Sequence, residues 1–136
     1  HAGQDDRRLT DRYLAAMRHP LVNVITHPTN RTPAVSPGYD LDFDALFAAA
    51  VETGTAMEID GAPGHLDMDG AVARRAAAAG VTIAIDSDCH RTDALARQMR
   101  FGVGTARRGW IEPRHVLNAR GIADVRAFIA RKRARS

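Results

Sequence analysis

Asp88 and His90 stand two residues apart in the stretch VTIAIDSDCH, residues 81–90, directly behind a run of strand character from Val81 to Ile85. Side chains of an extended chain alternate between faces, so residues two apart share one. At that spacing a carboxylate oxygen and an imidazole nitrogen can converge on one ion. Two other apolar runs end in a similar way. LVNVIT (21–26) leads into His27 and Pro28, and TAMEI (55–59) carries Glu58 and leads into Asp60. A His/Asp donor set suits Zn, Mn or Fe(II), whereas Ca and Mg prefer shells of oxygen. His27, Asp88 and His90 are therefore candidate metal ligands.

Each of these residues also has a plainer reading. "HP" after a strand is an ordinary turn, and an Asp after a strand commonly caps the next helix, a role open to Asp86. Glu58 is harder to dismiss, because a carboxylate inside an apolar strand is costly unless it is paired. It must face a cation, a metal site or solvent. His65 falls in the loop after the second run, where a structural or supporting role is expected. Cys89 points away from Asp88 and His90 if the strand continues, which makes it a small buried thiol rather than a nucleophile.

The elements that would position these groups follow from periodicity. Helices are expected over DDRRLTDRYLAAMRHP, closed by Pro20; over DFDALFAAAVETG, capped by Asp42 and stopped by Gly54; and over AVARRAAAAG, with Asp69 at its start and Gly80 past its end. A short helix near Asp93–Met99, a fourth short strand at FGVG (101–104), a helix around Glu112–Asn118 opened by Pro113, and a closing helix over IADVRAFIARKRA complete the order. Strands alternating with helices imply βαβ units and a parallel sheet. In such folds functional groups gather at the carboxyl ends of the strands. All three polar clusters would then share one rim.

Composition bounds the rest. The 136 residues suit one domain, 45% of them are hydrophobic, and 26% are charged, a globular balance. Lys132 is the only lysine; all other basic side chains are arginines, which suit phosphate contact but also follow from a G+C-rich genome. The tail RKRARS (131–136) reads as a solvated helix end. A single cysteine excludes an intrachain disulfide, and no run is apolar and long enough to span a membrane, so a cytoplasmic location is expected. The first residue is His1, not Met, consistent with a processed, trimmed or partial chain.

VNVITHPTNR, GTAMEIDGAP, VTIAIDSDCH and MRFGVGTARRGWIEPRHVLNAR resemble, in that order, the later motifs of the PHP (polymerase and histidinol phosphatase) domain. The likeness is nearest to the PHP domain of bacterial family X DNA polymerases and covers roughly residues 1–130. It implies the C-terminal half of a distorted (β/α)7 TIM-like barrel, with parallel strands alternating with helices, across residues 1–136. It also implies up to three divalent ions, Mn or Zn, in the complete barrel, and fewer here. His27 matches the ligand of the "HP" motif, Asp88 and His90 those of "D-x-H", and His1, by register, a further ligand histidine. The family's opening H-x-H motif, early ligands and bridging Glu have no counterpart. Asp60 stands where Asn is common, Asp86 where Ser is, and Cys89 where Ala is.

The expected activity is metal-dependent phosphoester hydrolysis, of the phosphatase or 3′–5′ exonuclease kind, with Asp88 and His90 as catalytic ligands. Arg31 is a candidate for the substrate phosphate, with a loop salt bridge as its alternative. Glu58, Asp86 and His65 are candidates for support of the ligands. Arg107 and Arg108 are placed to reach a nucleic-acid backbone such as a DNA 3′ end. No aromatic platform for stacked bases is evident. Partners expected are a phosphate ester, the missing N-terminal half of the barrel or a second copy, and no membrane. The competing readings are a non-catalytic metal-binding or assembly module and an amidohydrolase-like enzyme.

Overall fold

A computed structural model describes residues 6–134; His1 lies outside them. The chain is an α/β structure in the order α1 (Asp6–Arg18), β1 (Val24–Ile25), α2 (Phe43–Thr53), β2 (Ala56–Asp60), α3 (Gly70–Ala78), β3 (Ile83–Asp86), α4 (Leu95–Arg108), two 3-10 turns (Pro113–His115 and Leu117–Ala119) and α5 (Ile122–Ala134). The three strands are parallel, in the order β1-β2-β3. No described helix is long and apolar enough to cross a membrane.

The helix boundaries follow local chemistry. Asp42 accepts the Ala45 amide, and Gly54 closes α2 in the left-handed conformation, φ 67°. Asp69 accepts the amides of Ala71 and Val72 at the start of α3. Gly80, at φ 92°, turns the chain into β3.

The sheet faces differ, and their alternation builds the site. Ile25, Met57, Ile59, Ile83 and Ile85 point to one side, into the main core with Met17, Leu46, Phe47 and Ala73. On the other side lie Val24, Ala56 and Ala84, packed with Leu117 and Phe128. By the same alternation Glu58, Asp60 and Asp86 continue that second face toward the carboxyl ends. Glu58 is in register with Ala84, and Asp60 with Asp86. The strands are thus not apolar throughout.

Two of the expected elements need correction. FGVG (101–104) is not a strand but the middle of α4. Met99, Gly102, Val103 and Ala106 recur at helical spacing and face the core. Gly102 lets α4 lie against the end of β3: a Cβ there would come within 3.0 Å of the Asp86 carbonyl oxygen. The helix expected at 112–118 is two 3-10 turns separated by Val116, which forms a parallel bridge to Ile83. The fourth strand position is therefore taken by one residue, 15 positions beyond the expected start. Asn118 extends this closure: its side-chain amide donates to the Ile85 carbonyl (2.7 Å) and accepts the Ile85 amide (3.0 Å).

The basic tail is also not wholly solvated. Lys132 is 2% exposed. Its ammonium donates to the Met17 carbonyl and to Thr55 Oγ1, joining α5 to the end of α1 and the start of β2.

Candidate metal centre

Groups from the three strand ends meet, in a set that differs from the one the spacing implied. His27, Asp60 and Asp88 each offer a ligand atom, and these atoms lie within 4.8 Å of one another. His27 Nδ1 is 3.3 Å from Asp60 Oδ2, and His27 Nε2 is 4.0 Å from Asp88 Oδ2. Two of these atoms, His27 Nδ1 and Asp60 Oδ2, are buried without a hydrogen-bond partner. Buried polar atoms are rarely left so, and those that are point to an ion, a water or a functional role. The donor set is one imidazole with two carboxylates, which fits a divalent cation of the Mn or Zn type.

Backbone geometry bends both flanking loops into the site. His27 and Asp88 have φ of 46° and 42°, in the left-handed region that costs residues bearing a Cβ. Side-chain hydrogen bonds hold them there. The His27 amide donates to Glu58 Oε2 (2.8 Å), and Tyr13 reaches the His27 carbonyl (3.5 Å). Asp86 Oδ1 accepts the Asp88 amide (3.1 Å), and Ser87 Oγ accepts that of Cys89 (3.4 Å). These short loops curl the chain directly after β3. The strand does not continue to His90, so Asp88 and His90 do not share a strand face as the spacing suggested. Asp86 caps this turn rather than a helix, and α4 starts without a side-chain cap. Cys89 is half-buried rather than turned fully inward.

His90 is exposed and stands outside the cluster of three. Its Nδ1 lies 3.0 Å from the Asp88 carbonyl oxygen. An oxygen acceptor requires Nδ1 to carry the proton, which leaves the Nε2 lone pair outward.

The carboxylates carry strong electrostatic tension. Glu58 is 3% exposed, and burial together with a hydrogen bond to Asp86 pushes its carboxyl up to about 9. Burial also raises Asp60, opposed by the Ala62 amide and reinforced by Asp88. A cation would relieve both. Asp67, fully buried, was not singled out in the sequence. It accepts Thr29 Oγ1 (2.6 Å) and the Thr29 amide (3.1 Å), tying the loop after β2 to the loop after His27. Nothing in its local sequence marks this role, because its partner lies 38 residues away. Asp60 carried a clearer signal, being the residue at which an acid stands in a strand-end position.

Arg31 pairs with Asp69 at 3.2 Å, so its loop salt-bridge reading holds. His65 packs against His27, with ring centroids 5.0 Å apart and the planes tilted by 53°, and its Nδ1 is buried without a hydrogen-bond partner.

Fold and site together define an α/β protein with an acidic, histidine-bearing centre at the carboxyl ends of parallel strands. Over 128 residues, 94% of this chain, it is 38% identical to the DNA polymerase/3′-5′ exonuclease PolX of Bacillus subtilis (strain 168), of which that stretch is 22%. Over 87 residues, 60% of the chain, it is 33% identical to a probable phosphatase of Shewanella sp. (strain ANA-3), and 32% identical to one of Shewanella oneidensis; the match covers 32% of each. The chain thus spans about a fifth of the first relative and about a third of the others. No family model matches it. These likenesses bear out the resemblance to the PHP domain of family X polymerases.

Proposed function

We propose that the chain forms the carboxyl-terminal part of a PHP-type barrel and contributes a metal centre to a phosphoesterase acting on phosphate esters, 3′ ends of DNA among them. The observation that carries this reading is the convergence of His27, Asp60 and Asp88, with two of their atoms buried and unpartnered. The relatives, an exonuclease and probable phosphatases, favour phosphoester over amide substrates.

In this reading His27, Asp60 and Asp88 hold a divalent cation. His90 joins them through Nε2, the nitrogen that its contact with the Asp88 carbonyl leaves with a lone pair. A cation held here would make bound water acidic enough to act near neutral pH and would offset charge on phosphoryl oxygens. Glu58, its carboxyl pushed up to about 9 by burial and by its hydrogen bond to Asp86, fixes the His27 backbone beneath the cluster by accepting its amide. Arg31, tethered by Asp69, presents its guanidinium beside the same rim for a substrate phosphate.

The test is direct. Mn2+ and Zn2+ binding is measured by calorimetry on this chain, and hydrolysis of a phosphomonoester and of 3′-ended DNA on a longer protein containing it. His90→Ala is expected to weaken metal binding and remove metal-dependent hydrolysis. Unaltered binding and turnover in that variant would sink the ligand assignment. Metal binding without hydrolysis of either ester would favour the non-catalytic module.

A further inference from the structure

Asp67 stands behind the metal cluster without joining it. Its side chain is fully buried and accepts every hydrogen bond it makes. Oδ1 accepts the Thr29 hydroxyl at 2.6 Å, and both oxygens lie 3.1 Å from the Thr29 amide that donates to them. Burial raises the pKa of this carboxyl; the Thr29 hydroxyl and the amides of Thr29, Asn30 and Arg31 oppose the rise. A carboxylate taken this far out of water persists only where such donors offset the loss of hydration.

The loop that Asp67 grips leads directly to the cluster. Thr29 is joined to His27 through Pro28, which is fully buried and whose ring locks its own φ. The other side of Thr29 is closed as well. Its carbonyl accepts the Tyr39 amide (2.7 Å), and Gly38, at φ 93°, lies so near that a Cβ there would collide with the same oxygen. The main chain of Asp67 adds a second link. Its carbonyl accepts the Asp60 amide, and the amide of the next residue, Met68, donates to the Glu58 carbonyl (3.3 Å). One residue thus grips the loop carrying His27 with its side chain and the strand end carrying Asp60 with its backbone.

His27 Nδ1 and Asp60 Oδ2 are 3.3 Å apart, and neither has a hydrogen-bond partner. Their spacing is therefore held from behind, not across the gap. We propose that Asp67 is a positioning residue for the metal centre: acting through Thr29 and Pro28, its carboxylate sets where the His27 imidazole stands relative to Asp60, and so sets metal affinity. The inference rests on the reading of His27, Asp60 and Asp88 as metal ligands. Hydrogen bonds behind a ligand commonly govern affinity in this way.

Mn2+ and Zn2+ affinities of the chain are measured by calorimetry, with circular dichroism to check folding. Asp67→Asn keeps the shape but sets an amide against a group of donors; it should weaken both ions roughly tenfold to a hundredfold. Thr29→Val removes only the hydroxyl bond and should weaken them several-fold. That milder variant decides the matter if Asp67→Asn does not fold. Lys132→Ala, altered at the opposite end of the sheet, should keep the wild-type affinity, which separates positioning from a general loss of stability. A second readout needs no metal. In EDTA the ring resonances of His27, which lies against the His65 ring, should move in Asp67→Asn and Thr29→Val and stay in place in Lys132→Ala. Wild-type affinity or unmoved His27 resonances in a folded Asp67→Asn or Thr29→Val chain would overturn the proposal and leave the metal reading standing. A wild-type chain that binds neither ion would overturn the metal reading and this proposal with it.

Discussion

Glu58 shows how a residue at the centre of the site shapes the whole chain's response to pH. Its carboxyl is pushed from 4.5 to about 9 in the folded state. Between those values the native state holds a proton that the unfolded state has lost, so stability falls as pH rises through that window. In EDTA, thermal unfolding should therefore occur at lower temperature near pH 9 than near pH 6. Glu58→Gln should flatten that slope, which differential scanning fluorimetry across pH would show; an unchanged slope would count against the buried proton. Asp60→Asn keeps the shape but removes one anionic donor. Calorimetry should show Mn2+ or Zn2+ affinity lower by about tenfold or more, comparable with the loss on disturbing groups around a metal.

At the scale of elements, the edge of β3 is closed by a side chain rather than a strand. Asn118 satisfies both backbone groups of Ile85, one residue before Asp86. Asn118→Ala leaves them without that partner and should cost about 1–3 kcal/mol in urea unfolding. Hydrogen exchange at the Ile85 amide should accelerate in the same variant. Asp69 serves both the α3 cap and the Arg31 ion pair. Asp69→Ala should cost about 1 kcal/mol, whereas Asp69→Asn, which still accepts the amides, should cost only a few tenths. A difference of that kind assigns the stability to the cap, since exposed ion pairs contribute little.

For the whole molecule, Lys132 ties the last helix to the first. It joins the end of α1 to the start of β2 at the amino-terminal side of the sheet, opposite the site. Lys132→Ala should lower unfolding stability by about 1–3 kcal/mol, read by urea denaturation, while leaving metal affinity unchanged. A parallel loss of metal affinity would mean that the two ends of the sheet are mechanically coupled. The carboxylate face between them has Val24, Ala56 and Ala84 below and Glu58, Asp60 and Asp86 above. Small side chains admit Phe128 and Leu117 at one end, and acids line the other.

The sequence by itself determined the α/β alternation, the caps at Asp42 and Asp69, the stop at Gly54, and the gathering of polar groups at three strand ends. These features depend on spacing, side-chain type and hydrogen bonds within a few residues, all of which are local. It also carried the motifs that join the chain to its relatives. Tertiary structure decided the rest. It placed Asp60 in the cluster, because parallel register sets it beside Asp86. It curled the chain after β3, because Asp86 and Ser87 bond the backbone two residues on and end the strand before His90. FGVG became helix because Gly102's missing Cβ lets α4 lie against the end of β3 at Asp86, a contact that residue propensity does not record. Lys132 was drawn out of a basic tail because carbonyl and hydroxyl partners wait 115 and 77 residues away. Interactions at those separations leave no mark in the local sequence; only the folded chain brings their partners together.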